Sequence, residues 1–332
     1  MLAIALGWLV AACSGPLAPG GNREAGSVPG YRVLRDVQLP GDTSRWDYLA
    51  YEQASGRLYI AHLGASQVVV FDVRSDRVVH VIDGIDTVHG LVLAPDLGRL
   101  FASATGSNRL VAIDLATFHP VGTAPTQQYP DGVAYAPNAG RLFISNEAGS
   151  GDTVIDARTV QRITDLQLGG DIGNSQYDPA TQLVYVAVGS DKRLVAIDPT
   201  SASVVRQYVL AGCDGAHGVQ IDEPGRHRAF IACQGNARMV TVDLARGKSD
   251  GTFSVGANPD VLALDSGIHR LYVAAESGQL TVFDVADGVK KLAEGAAGPN
   301  AHSVAVNPRT HVVYLPVANV GGRSVLRELV PG

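Results

Sequence analysis

Short runs of apolar residues recur along this chain, alternating with polar positions and separated by turn residues. Residues 57–62 (RLYIAH), 68–73 (VVVFDV) and 78–82 (VVHVI) are examples, and Pro95-Asp96, Pro137-Asn138 and Ser266-Gly267 punctuate similar runs further on. Runs of this length, rich in Val, Ile and aromatic residues and bounded by Gly, Pro, Asn or Asp, predict β-strands. No segment of useful length has the 3.6-residue period of a helix.

The runs are organised by a repeat. The aromatic of Gly56-Arg57-Leu58-Tyr59 recurs in Gly98-Arg99-Leu100-Phe101 and Gly140-Arg141-Leu142-Phe143, then at Tyr185, Phe230, Tyr272 and Tyr314, in steps of 42, 42, 42, 45, 42 and 42 residues. A second marker trails each aromatic: Phe71-Asp72, Ile113-Asp114, Ile155-Asp156, Ile197-Asp198, Val242-Asp243 and Phe283-Asp284. Four short strands in a repeat of this length make a propeller blade. Seven aromatics predict an all-β, seven-bladed β-propeller of four-stranded antiparallel blades, occupying residues 31–332 as one domain.

The last repeat stops soon after its third strand at 324–329. Residues 34–42 (LRDVQLPGD) match 163–171 (ITDLQLGGD), which close the third repeat. The N-terminal segment is therefore expected to supply the outer strand of the last blade and so close the ring. Closure removes the unpaired edges of a linear array, and the capping repeats of a solenoid are not seen.

These motifs resemble those of the YVTN-repeat, YncE-like family of bacterial propellers. The resemblance rests on Pro130-Asp131-Gly132-Val133-Ala134, on Gly140-Arg141-Leu142-Phe143-Ile144-Ser145-Asn146 and on Leu194-Val195-Ala196-Ile197-Asp198, and it spans about residues 31–330. It implies a propeller fold and export. The wider propeller relatives include lactonases, a streptogramin lyase, and surface or DNA-binding proteins, so the fold does not choose a chemistry.

Composition narrows the setting. The 332 residues include 46% hydrophobic and 17% charged positions, enough apolar matter for a sizeable core. A net charge of −6 offers no electrostatic footprint for nucleic acid. Residues 1–12 are apolar and end in Val10-Ala11-Ala12-Cys13, which reads as a secretory signal whose lipobox would leave lipid on Cys13. The run lacks a preceding Lys or Arg, which leaves an upstream start codon open; the other reading is a core strand or buried helix. Residues 14–30, rich in Gly and Pro, look like a tether. The expected location is the periplasm or cell envelope, with the membrane met only through a lipid anchor. Cys213 and Cys233 remain as an even pair flanking one predicted hairpin. A disulfide is the default in an exported chain; the sharper alternative is a catalytic or metal-binding pair, though the spacing matches no zinc motif.

The candidate chemistry lies on the axis. Twelve residues before each aromatic, where the innermost strand begins, stand Asp47, His89, Asp131, Gly173, His217 (offset by one), Asp260 and His302. Six of seven are Asp or His, so a polar, titratable channel mouth is expected. His89, His217 and His302, spread around the axis, form the candidate site for a transition-metal ion, with carboxylates as further ligands; they are also the candidate general bases. Turns after the second strands should share this face and bring His62, Asn146, Glu147, Asp191, Gln234, Asn236, Glu276 and Asn319 to it. Asp47, Asp131, Asp260, Glu147, Glu276 and Trp46 are thus candidate ligand-binding residues. The plainer readings are that Asp131 and Asp260, each after a proline, make Asx turns, that the histidines bond channel water, and that Trp46 plugs the gap between blades 1 and 7. His80, His119, His227, His269 and His311 are expected on outer strands or turns in solvent. The recurrent Asp72, Asp114, Asp156, Asp198, Asp243 and Asp284 are expected to cap turns.

No serine elbow, Walker loop, dinucleotide fingerprint or His-Glu-x-x-His is present. The sequence therefore points to a monomeric binding module that takes a small molecule, metal or protein at its axial face. The alternative is a metal-dependent hydrolase or lyase, lactonase-like, with its Asp/His site at the channel mouth.

Overall fold

The computed structural model describes residues 27–222 and 226–332, so the signal, the lipobox with Cys13 and most of the tether lie outside the described residues. Seven sheets of four antiparallel strands form the ring. Blade 1 runs from Leu49–Glu52 to Arg77–Asp83, and blades 2 to 6 follow in chain order, ending at Lys290–Ala296. Blade 7 takes its three inner strands from the C-terminus and its outer strand from the N-terminus. Tyr31–Gln38 pairs antiparallel with Arg323–Pro331, from Tyr31 opposite Pro331 to Gln38 opposite Val325. No helix among the described residues is long and apolar enough to cross a membrane.

The repeat markers acquire physical roles. Tyr59, Phe101, Phe143, Tyr185, Phe230, Tyr272 and Tyr314 lie on the second strand of their blades and are all buried. Their side chains enter the apolar layers between neighbouring blades; Tyr59 packs with blade 2 residues such as Leu100 and Ala102. Burying an aromatic side chain of this kind stabilises the fold by roughly 1.5–3 kcal/mol. The recurrent aspartates are caps: Asp72 accepts the backbone N–H groups of Arg74 and Ser75, Asp114 those of Ala116 and Thr117, and Asp156 those of Arg158 and Thr159. Asp198, Asp243 and Asp284 do the same for Thr200, Arg246 and Ala286. The backbone and Thr117 hydroxyl bonds hold the Asp114 carboxyl below its usual pKa.

One ion pair locks the ring, and one disulfide pins a single blade. Arg327, buried on the third strand of blade 7, donates from Nε and Nη2 to the two carboxylate oxygens of Asp36 on the N-terminal strand, at 2.8 and 2.6 Å. Two parallel bonds from one planar guanidinium fix both distance and orientation. Within blade 5, Cys213 and Cys233 form a disulfide with Cα atoms 5.4 Å apart, buried among Leu210, Ala216 and Val240. The bridge spans a sequence separation of 20 residues, a loop for which chain-entropy arguments give a stabilisation of about 3 kcal/mol. Reduction is therefore expected to lower stability by that order in chemical denaturation; an unchanged midpoint would show that blade 5 holds its geometry without the bond.

Candidate functional site

Five inner strands carry the axial residue at their second position. In Val88–Ala94, Pro130–Ala136, Ile172–Asp178, Ala216–Ile221 and Pro259–Asp265 the pairing register shifts between the first and fourth residues. A bulge frees a residue from the ladder and re-aims its side chain; here it turns His89, Asp131, His217 and Asp260 into the ring. Asp47 and His302 reach the ring from the segments preceding Leu49–Glu52 and Ala305–Asn307. All six side chains are buried, from 1% exposure at His302 to 8% at His217. Close approach of the strands explains the glycine after several of them: a Cβ on Gly90 would lie 2.1 Å from the Asp131 carbonyl oxygen, and one on Gly218 1.9 Å from that of Asp260.

The three axial histidines have different partners. His89 Nδ1 donates to the Thr87 carbonyl at 2.9 Å, which leaves Nε2 as an acceptor, 3.3 Å from the Tyr129 hydroxyl. His217 Nε2 lies 3.3 Å from Asp260 and 3.6 Å from Asp131. Burial disfavours its charged form, but the bond to Asp260 and the charge of Asp131 outweigh that and push its pKa up to about 9, so it is an imidazolium at neutral pH. His302 Nδ1 donates to the Asn300 carbonyl at 3.0 Å. Its Nε2 has no hydrogen-bond partner, and it stands 3.8 Å from Asp47 Oδ1 and 3.9 Å from Asp260 Oδ2. The residues whose donor atoms come closest together are not the three imidazoles but Asp47, Asp260 and His302. Donor atoms of these three lie within 4.8 Å of one another.

The carboxylates are held to this centre by charge. Asp260 is buried, which alone would raise its pKa, but His217 and His302 overcome that and lower it. Burial raises Asp131, against the pull of His89 and His217, and its Oδ1 has no hydrogen-bond partner. No backbone N–H bonds either carboxylate among the described residues, so the Asx-turn reading of Pro130-Asp131 and Pro259-Asp260 does not hold. The bulge points both side chains inward instead.

Five of the six ring residues, all but His302, line a mouth of about 470 Å³, to which Glu147, Gln234 and Glu276 contribute from the turns after second strands. The Glu147 and Glu276 N–H groups donate to the carbonyls of Tyr129 and Asn258, each 2.9 Å away, which ties these turns to the approach of the inner strand. Glu276 also accepts from Arg45 Nη1 at 2.9 Å, and Arg45 Nε lies 3.7 Å from Asp47. Arg45, Tyr48, Tyr129 and Asn258 line this mouth and escaped the sequence reading. A signal existed: Arg45, Thr87, Tyr129, Asp171, Gly215, Asn258 and Asn300 all stand two residues before a ring position.

Other candidates sit elsewhere. Trp46 does not face the mouth: it is buried, stacked on His62 at 3.8 Å, and donates from Nε1 to Ser324 Oγ at 3.0 Å, which joins blade 1 to blade 7. His62 lies buried beneath it, and Asn146 spends its amide on the Ile144 and Gly151 carbonyls. Asp191, Asn236 and Asn319 do not line the mouth. His80, His119, His227 and His269 are exposed, whereas His311 pairs with the buried Asp265 at 2.9 Å. Ser44, His62 and Asp42 cluster together, but Ser44 and Asp42 both approach His62 Nε2, at 3.1 and 3.5 Å. A catalytic triad needs the acid on the opposite ring nitrogen, and here Nδ1 has no partner.

Fold and mouth together define a seven-bladed propeller with a titratable axial site. Among solved structures the chain is similar to hydrazine synthase of Kuenenia stuttgartiensis, with a TM-score of 0.72 and 14% identity over 91% of this chain and 99% of that one. It is also similar to virginiamycin B lyase from Staphylococcus aureus (TM-score 0.74, 10% identity, 90% and 99% covered) and to the RRP9 WD40 repeats (TM-score 0.75, 11% identity, 92% and 99% covered). At these identities the likeness is one of fold. No protein-family model matches the chain, and no curated protein matches its sequence.

Proposed function

We propose that this chain is an exported, YncE-like propeller, tethered to the membrane through Cys13, whose axial mouth binds a divalent transition-metal ion. Asp47, Asp260 and His302 are the ligands, and the protein works as a binding module. The carrying observation is the His302 Nε2 atom. It is buried at 1% exposure and has no hydrogen-bond partner, and its other ring nitrogen is committed to a backbone carbonyl. An unsatisfied buried polar atom costs roughly 1–3 kcal/mol, and an imidazole anchored to a backbone carbonyl through one nitrogen, with the other turned towards carboxylates, is how metal-binding histidines are oriented. One imidazole with two carboxylates suits zinc, manganese or iron(II); the nitrogen donor argues against calcium. The placement of export and anchor rests on the residues before the propeller.

The test is elemental analysis of the purified propeller, followed by titration of the metal-stripped protein with zinc and manganese. One equivalent bound supports the reading; no stoichiometric uptake of either ion overturns it. The hydrolase or lyase alternative uses the same centre and differs in turnover, so lactone hydrolysis by the metal-loaded protein would decide for it.

A further inference from the structure

The ring has one gap. Where six blades place Asp or His, blade 4 places Gly173, and a Cβ there would lie 2.6 Å from both the Cα and the carbonyl oxygen of His217. Beside this gap a second cavity of about 580 Å³ opens, continuous with the mouth through Tyr129, Glu147, His217 and Gln234, which line both. The charged side chains in its lining are Glu147, Asp171 and His217; no Lys or Arg lines it among the described residues. His217 is already matched by Asp131 and Asp260, so Glu147 and Asp171 leave this pocket acidic.

Tyr129 marks the junction. Its backbone is left-handed, with φ at 58°, as are Thr87, Asn258 and Asn300 at the same place in blades 2, 6 and 7. Asn tolerates that conformation, and a bulky aromatic does so only at a cost. The repeat therefore does not call for Tyr at 129. Its hydroxyl is held near His89 Nε2 at 3.3 Å, and the side chain, at 40% exposure, stays open to the pocket. A fixed aromatic face next to unmatched carboxylates is the chemistry that recognises an organic cation.

We propose that the blade 4 pocket binds a small primary ammonium compound, with the cation over Tyr129 and hydrogen-bonded to Glu147 and Asp171. The proposal rests on the mouth being the binding face, and it deepens that reading by giving the second ligand a class. The probe is putrescine, with 1,4-butanediol as its neutral counterpart, titrated by calorimetry into metal-stripped protein so that the outcome does not depend on the central ion. Putrescine is expected to bind at least about tenfold more tightly than butanediol. Tyr129→Asn, which retains a residue suited to the left-handed backbone, should weaken putrescine binding about tenfold, and Glu147→Gln should do so several-fold, with thermal midpoints reported to show that both variants fold. Equal binding of the diol, or wild-type putrescine affinity in both variants, overturns the proposal. Putrescine binding by a protein that takes up no metal would defeat the metal reading alone, and metal uptake without putrescine binding would defeat this one alone.

Discussion

His302→Ala is expected to weaken binding of zinc or manganese at the axial mouth by more than about 100-fold, while His89→Ala weakens it by about tenfold. The difference follows from the partners each imidazole already has. His302 offers a buried nitrogen with nothing bonded to it, beside Asp47 and Asp260. His89 Nε2 is 3.3 Å from the Tyr129 hydroxyl, so it acts on the centre at most through Asp47, 3.9 Å away. Removing a partner of a ligand costs metal sites about 10–100-fold, and removing a ligand costs more. Asp260→Asn should match His302→Ala, because it removes a donor and also releases His217 from its nearest carboxylate. Metal titration monitored by calorimetry checks the order. Equal losses from His89→Ala and His302→Ala would restore the three-histidine site and overturn the Asp-Asp-His assignment.

Asp152→Asn is expected to make the protein less sensitive to rising pH. Asp152 is fully buried on the third strand of blade 3, opposite Ser145, and neither of its carboxylate oxygens has a hydrogen-bond partner. Burial pushes its pKa from 3.8 to about 7. A carboxyl whose folded pKa is raised costs nothing while it is protonated in both states, below about pH 4. Stability is then lost as pH rises toward and through the folded value near 7. Between about pH 5 and about pH 8 this single group should remove roughly 2–3 kcal/mol from the wild type, and the amide, which does not titrate, should keep it. Chemical denaturation of both proteins at the two pH values measures the effect. A stability difference that stays constant across that interval would mean that the folded protein ionises Asp152 as easily as the unfolded chain.

The architecture was legible because it is repeated. Tyr59 and its six counterparts each carry only local information, but they are separated by six nearly equal steps. A core that serves one blade serves its neighbours, so the pattern is written in the chain. The caps at Asp72, Asp114 and Asp156 were legible for the same reason: a carboxylate two and three residues before the N–H groups it accepts needs no tertiary information. The ring of Asp47, His89, Asp131, His217, Asp260 and His302 could also be read, since its members share one place in the repeat. Tyr129 shares such a place too, and was missed because Thr87 and Asn258 show no common chemistry beside it.

The sequence by itself determined the blade number, the closure by the N-terminal strand and the set of axial residues, because each follows from contacts inside a blade or between adjacent blades. Only the tertiary structure decided which axial groups remain available. His89, His217 and His302 look equivalent in the chain, and His89 and His302 even share a bond from Nδ1 to the carbonyl two residues earlier. Their difference lies at Nε2, which faces Tyr129 in His89, Asp260 and Asp131 in His217, and Asp47 and Asp260 in His302, and no spacing rule encodes that. Trp46 was decided in the same way, by Ser324 reaching it across the ring closure. Fold is carried by repeated short-range regularities, whereas the chemistry of this mouth depends on single contacts between blades distant in sequence.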